Sequence, residues 1–494
     1  MTRRRRPPDR PSLRRRAARL APALGALALL AACSGTPEPV QTRADLPERF
    51  SRGGEAARID RWWQAFDDPA LTRLIDTALA DRPQLRAIWA RLAQAQAAAG
   101  RTRADRFPSV EGTGEASAQD GSGLPSMQDD YSLGLAASYE VDLWGRIDAE
   151  ADAARLDARA TRQELEAGAL SLSGEVADAW YRLVAQRARL DLLRRQLETN
   201  RTVERVVEVR VRQGQASLAD LLRQRELIES TREQISTAEG ELELIRNELS
   251  VLLGRAPNGE PLPESRALPS VPALPETGVP AELLTRRPDV RQAVLQVQAA
   301  DKRVAAAVAD QYPRLDLTAS LRTTAEDPAD LFSNWIGSIA GQLAVPLIDA
   351  GRREAEVDRT EAVVAQRLAE FESTALTAIR EVEDALAQER QQRRRVDSLE
   401  RQVELARQAL ARLRGRYIGG ATDFLDVLDG LTRLQGLERE LIEARRQRLA
   451  ARIALARALA GGIDPPRPQG RGFDSLGTWV DGGAAPAGTD EDAT

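Results

Sequence analysis

The chain has 494 residues, with 70 Lys+Arg against 75 Asp+Glu, no histidine and one cysteine. Those counts exclude histidine-based triads, imidazole metal sites, disulfides and thiolate clusters. No glycine-rich phosphate loop follows a strand, so the inventory argues against an enzyme.

Residues 1–32 carry nine arginines and one aspartate, and close on an apolar run from Leu20 to Ala32. This is the layout of a secretory signal, and the run is too short to span a bilayer. It ends in Leu30-Ala31-Ala32-Cys33, and Cys33 is the only cysteine. The segment resembles a bacterial lipoprotein signal, which implies cleavage before Cys33 and acylation of Cys33 by a diacylglycerol and an N-acyl lipid. Ser34, where an aspartate would favour inner-membrane retention, implies an outer-membrane destination. No other cofactor is expected. Without its surplus of eight positive charges, the formal charge moves from −5 to near −13, a poor match for nucleic acid.

The rest of the chain is written twice. Ala104-Asp105-Arg106-Phe107-Pro108 returns 205 residues later as Ala309-Asp310-Gln311-Tyr312-Pro313. Arg82-Pro83 recurs at Arg287-Pro288, Gly145-Arg146 at Gly351-Arg352, and Gly214 with Asp220 at Gly420 with Asp426, always 205 or 206 residues on. Such a constant offset marks duplication of a whole unit. The expected layout is a lipidated N-terminal segment 33–69, a first repeat 70–262, a second repeat 263–462 and a disordered tail 463–494, rich in Pro and Gly and ending in Asp490-Glu491-Asp492.

Within each repeat the order is short helix, β-hairpin, long helix, helix. The spacing predicts short helices over 83–106 and 288–311, with Pro83 and Pro288 in their first turns. Strands follow. Tyr131, Leu133, Leu135, Ala137, Tyr139 and Val141 alternate with Ser132, Gly134, Ala136, Ser138 and Glu140. Leu315, Leu317, Ala319 and Leu321, and then Ile339, Leu343, Val345 and Leu347, repeat that pattern in the second copy. A weaker strand covers 107–118, giving hairpins 107–142 and 312–347. Proline-free stretches 147–211 and 352–414 then predict two helices of about 95 Å each. Val396, Leu399, Val403, Ala406, Leu410 and Leu413 form an a/d seam, and Leu183, Leu190 and Leu197 step by sevens. Helices over 218–253 and 424–460 return along them.

Strands of eleven or twelve residues are long enough to cross a membrane when tilted. Four strands cannot close, and lipid does not tolerate open edges, so the chain must oligomerise: a dimer gives eight strands, a trimer twelve.

Three motifs place the chain in a family. Trp62-Trp63-Gln64-Ala65-Phe66 with Asp68-Pro69-Ala70-Leu71, Tyr139-Glu140-Val141-Asp142-Leu143-Trp144-Gly145-Arg146, and Arg416-Tyr417-Ile418-Gly419-Gly420 leading to Asp423-Phe424-Leu425-Asp426-Val427-Leu428-Asp429 resemble the TolC-like outer-membrane efflux proteins, in their lipoprotein branch. The resemblance covers about residues 47–462. It implies a membrane α+β fold: a homotrimer with a twelve-stranded barrel in the outer membrane, continuous with a twelve-helix periplasmic barrel. It also implies a passive duct served by a periplasmic adaptor and an inner-membrane pump.

By the same resemblance, the turns at Gly214 and Gly420 form the periplasmic tip, and Asp426 and Asp429 align with an acidic constriction. Asp220 and Tyr417 align with a closing network whose arginine is here Thr422, so a carboxylate-to-phenol bond is expected without the charged clasp. Trp62 and Trp63 are expected to pack an equatorial segment against the helices. Competing readings are a duct for proteins or metals, a coiled-coil adaptor, and a carboxylate-based envelope hydrolase. The adaptor has no use for four half-apolar strands, and no α/β pattern supports the hydrolase.

Overall fold

The computed structural model describes residues 47, 49–51, 61–119, 128–257, 259–274 and 277–468. The signal segment, Cys33 and residues 469–494 lie outside the described residues. Helices α1 (Pro69–Asp81) and α2 (Pro83–Ala104) lead into strands β1 (Ser109–Gln119) and β2 (Gln128–Val141), then the long α3 (Arg146–Arg212) and α4 (Leu218–Leu252). The second copy runs α5 (Pro280–Arg286), α6 (Pro288–Ala309), β3 (Arg314–Ala325), β4 (Trp335–Ala344), α7 (Arg352–Ile418) and α8 (Phe424–Leu459).

Helices α3 and α7 have 67 residues each, about 100 Å. In each repeat two shorter helices stack end to end beside the long one, α2 and α4 along α3, α6 and α8 along α7. Helix α3 also packs on α6 and α8, which joins the two copies. The sequence reading did not anticipate α1 and α5. They are separated from α2 and α6 because Pro83 and Pro288 hold the preceding arginines extended, with Arg82 at ψ 128° and Arg287 also at ψ 128°. Both arginines then reach the neighbouring long helix, Arg82 to Glu175 at 3.1 Å and Arg287 to Glu381 at 2.8 Å. The duplication therefore extends to a tertiary ion pair.

The four strands form one antiparallel sheet in chain order. Its register places Leu135 opposite Leu321, Tyr139 opposite Leu317 and Ala319 opposite Ile339 on one face. Ser138 opposite Thr318, and Ser320 opposite Ser338, occupy the other. Both hairpins are where the alternation predicts them. β4, however, lies over Trp335–Ala344, so Val345 and Leu347 fall beyond it in the connection to α7. The apolar face is uncovered, with Ile339 90% exposed and Leu135 52%. β1 and β4 each lack a partner on their outer side in the single chain.

The largest core lies halfway along α3. A 3-10 turn over Trp62–Phe66 inserts two fully buried tryptophans there, as expected. Trp62 Nε1 donates to Ser173 Oγ at 3.0 Å. Asp68 caps α1 by accepting from the amides of Ala70 and Leu71, while its other oxygen accepts from Trp180 Nε1 at 2.8 Å. The expectation of disorder from 463 onward does not hold at its start: Ile463 is buried in this core and Asp464 pairs with Arg162 at 2.5 Å.

Along α7 and α8 the seam is the predicted one, with Val396, Leu399, Val403, Ala406 and Leu410 all buried. Along α3 it departs from the heptad of leucines. Leu197 is half-buried, and the seam runs through Leu193, Gln196 and Asn200. Asn200 is fully buried and ties α3 to two other helices: its Nδ2 donates to Thr231 Oγ1 of α4 at 3.0 Å, its carbonyl accepts from Gln224 Nε2 of α4 at 2.8 Å, and its Oδ1 accepts from Gln435 Nε2 of α8 at 2.8 Å. Asn200→Ala leaves the Gln435 amide buried without an acceptor. It should lower stability by about 1–3 kcal/mol in denaturant unfolding followed by tryptophan fluorescence, whereas Leu197→Ala should cost less than a core leucine.

Candidate functional site

The two turns that join long helices to returning ones carry most of the residues singled out from the sequence. Each turn closes in the same way: Gly214 at φ 69° and Gly420 at φ 71° let the chain reverse in the left-handed region, where a side chain would be strained. The amide of Gln215 then donates to Arg210 O at 2.8 Å, and that of Ala421 to Arg416 O at 2.9 Å. At the first turn Arg212 donates to Glu208 at 2.8 Å and holds that carboxyl below its usual range.

Beyond the turns the copies differ. Asp220 forms a capping box with Ser217: Asp220 N donates to Ser217 Oγ at 3.1 Å and Ser217 N to Asp220 Oδ2 at 3.2 Å. Arg223 pairs with Asp220 at 3.5 Å. In the second copy Asp423 makes no side-chain cap bond at the start of α8. Instead the Thr422 hydroxyl donates to the Asp426 carboxylate, and Arg416 donates to Ala421 O at 3.0 Å. Asp426 and Asp429 are both exposed, one turn apart, on a face that excludes the buried Val427. Asp426 stands in the first turn of α8, where the helix dipole favours a negative charge.

Tyr417 does not meet Asp220. Its phenol oxygen is buried and has no hydrogen-bond partner, so the expected carboxylate-to-phenol bond is not formed. The capping box and Arg223 engage Asp220. The tyrosine ring lies 5.7 Å from Phe424 in a cluster with Val207 and Leu221. Arg210, from the last turn of α3, places its guanidinium 4.4 Å from the centre of that ring and donates to Tyr417 O at 3.3 Å. One residue thus joins the first turn to the second by a cation–π contact and a hydrogen bond.

Sequence reasoning missed Arg210, although a signal was present. Arg210 stands 206 residues before Arg416, so the duplication offered an arginine at both turns. Its partner was not inferable, since Arg416 bonds within its own turn while Arg210 crosses to the other. Arg210→Ala should raise hydrogen exchange of the amides around both turns by about five- to thirtyfold, the equivalent of 1–2 kcal/mol. Tyr417→Phe should leave it unchanged, because the phenol oxygen makes no bond; equal exchange in the two variants would show that it does.

Similarity to known proteins agrees with this architecture. The outer membrane efflux protein family matches the chain twice, over residues 74–255 and 279–461, one match to each copy of the duplication. The pyoverdine export outer membrane protein OpmQ of Pseudomonas aeruginosa is 32% identical over 468 residues, covering 90% of this chain and 97% of OpmQ. The cation efflux system protein CusC of Escherichia coli is 30% identical over 457 residues, covering 90% of this chain and 98% of CusC. A crystal structure of CusC superposes with a TM-score of 0.80 at 28% identity, over 87% of this chain and all of the other. A protein described as a probable outer membrane lipoprotein, SilC of Salmonella typhimurium, is 27% identical over 88% of this chain and 96% of its own length. With a sheet of four strands open at both edges and a doubled helical hairpin, the chain belongs to the outer membrane efflux protein family and is one subunit of a trimeric outer-membrane efflux channel.

Proposed function

We propose that this chain is the exit duct of a tripartite efflux system, a passive trimer that receives small toxic molecules from an inner-membrane pump through a periplasmic adaptor. The observation that carries this reading is the union in one chain of an open four-stranded sheet with an uncovered apolar face and two 67-residue helices ending in paired turns. Three sheets close a barrel in lipid, and the helices extend its lumen away from the membrane. Within such a trimer the exposed Asp426 and Asp429 supply six carboxylates around the tip, a potential that favours cations and repels anions. Arg210 and Tyr417 hold the two turns of each chain together beside them.

The relatives support a duct that does not itself choose cargo. One is named for pyoverdine export and another for cation efflux, at 32% and 30% identity. The chain has two methionines, no histidine and one cysteine, which supplies no ladder of soft ligands for passing metal ions along a lumen. Small organic cargo selected by the pump is therefore favoured over metal export. Cys33 is the acylated N-terminus in this reading, in keeping with the lipoprotein description of SilC.

Two measurements test the proposal. In planar bilayers under a salt gradient, the trimer should conduct with a cation preference. The Asp426→Ala/Asp429→Ala double variant should move its reversal potential toward zero, and an unchanged potential would remove both residues from the gate. Intact mass and palmitate labelling should show lipid on the wild-type chain and none on Cys33→Ala; an unlipidated wild type would reject the anchor.

A further inference from the structure

The second strand of each hairpin outruns the first. β1 begins at Ser109, opposite Ser138, so Tyr139, Glu140 and Val141 have no partner on it; β3 pairs them instead, through Leu317, Asp316 and Leu315. In the second copy β3 begins at Arg314, opposite Ala344. The counterparts of those three residues, Val345, Pro346 and Leu347, therefore have no strand opposite them, and Leu347 is 87% exposed. The corner beside them is incomplete in the same way. Trp144 stacks on Tyr312 with ring centres 4.8 Å apart and donates from Nε1 to Pro313 O at 2.8 Å, which closes the joint between the two copies. The duplication puts Ala350 in the place of Trp144 and Phe107 in the place of Tyr312, and Phe107 is 61% exposed.

The duplication also says what belongs at the open edge. First strands recur 205 residues on and second strands 206, and the hairpins agree with this in register: Gly114 faces Leu133 as Ala319 faces Ile339. We infer that β4 pairs with β1 of the next chain in the register that β2 keeps with β3. Leu347 then stands opposite Val110, Leu343 opposite Gly114 and, on the lumen face, Gln342 opposite Glu115 of the next chain.

Three observations support this register over its neighbours. A slip of one residue would set Leu343 and Leu347 against the polar row of β1, whereas here apolar meets apolar throughout. The leucine and valine of β4 arrive opposite glycines of β1, Leu343 at Gly114 and Val345 at Gly112. Space is short at Gly114, where a Cβ would already lie 3.3 Å from Leu133 of its own chain. Pro346 has no amide hydrogen, so its nitrogen must point away from β1, toward the side where β3 has ended. That makes the lumen-face pairs the non-hydrogen-bonded ones, whose side chains stand closest. The same operation sets Phe107 beside Ala350, so the joint between chains lacks the indole clasp that ties the copies within a chain.

The test is disulfide scanning of the detergent-purified, full-length trimer, in which Cys33 is the only other cysteine. Gln342→Cys is combined in turn with Thr113→Cys, Glu115→Cys and Ser117→Cys, all on the lumen face, and oxidised with copper phenanthroline. The Glu115→Cys combination should give covalent trimers on non-reducing gels at least about tenfold faster than the other two, whose Cβ atoms lie on diagonals of roughly 7–8 Å, too long for a disulfide. Each single variant should run as a monomer. Leu343→Cys with Gly114→Cys, compared with Gly112→Cys and Ala116→Cys, repeats the scan on the lipid face with independent variants. Fastest closure with Thr113→Cys or Ser117→Cys, or no cross-link from either series in chains that keep the trimer mass, would overturn the register and leave the trimer standing. Chains of monomer mass without a cross-link would give both edges to a different partner and overturn the joint outright.

Discussion

The constraint on which the rest of the structure depends is the row of unpaired backbone groups along the outer sides of β1 and β4. In water such edges are a liability; in hydrocarbon they are untenable, because each unpaired amide or carbonyl costs several kcal/mol. Joining β4 of one chain to β1 of the next removes every edge at once when three sheets of four strands form a ring. That closure fixes the threefold axis, and the axis then dictates where every helix must stand. The long helices are covalent continuations of β2 and β4, so a tunnel coaxial with the barrel follows from the chain's connectivity.

Helices this long could slide against one another, since an apolar seam repeating every three or four residues fits almost equally well one heptad away. Polar groups inside the seam remove that freedom. Asn200 bonds to α4 through Thr231 and Gln224 and to α8 through Gln435, and no other register satisfies all of them. Nearer the middle, Arg187 and Arg452 hold the segment between α4 and α5 by its carbonyls, and the tryptophan turn fixes the N-terminal segment to α3. Apolar burial supplies the stability of the bundle; these few polar contacts supply its alignment.

The parts legible in the sequence were those written in local chemistry. Alternation gave the strands, proline-free stretches gave the long helices, and Gly214 and Gly420 marked the reversals because only a residue without Cβ enters those angles cheaply. The duplication made each assignment twice. What escaped was tertiary. Nothing local distinguishes Arg210, which crosses to the other turn, from Arg416, which does not. Asp220 looked like a partner for Tyr417 by resemblance, yet Ser217 three residues before it spells a capping box that claims its carboxylate first. The leucine heptad of α3 drifted from the true seam because Gln196 and Asn200 are polar and were passed over. Ile463 sits in the core only because the chain beyond α8 folds back on α3, a contact that composition cannot announce.

In the gated duct proposed above, the asymmetry of the two turns bears on how the tip would open. Within one chain the hairpin α3–α4 meets the hairpin α7–α8 near the tip through the Arg210–Tyr417 contact, the Gln435–Asn200 bond and the small cluster of Val207, Leu221 and Phe424. Turning one hairpin against the other would break the first two while leaving both turns internally intact, since each is closed by its own glycine and backbone bonds. A cation–π contact and a buried hydrogen bond are together worth about 2 kcal/mol. Over three symmetry-linked chains moving together the bias toward the joined arrangement approaches about 6 kcal/mol, near the 5.5 kcal/mol that separates an equilibrium of 1:99 from its reverse. In the gated duct proposed above, contacts that are individually weak would therefore suffice to hold a threefold tip closed, provided the three chains move as one. A partner that engages all three at once needs only modest affinity for the open form at each.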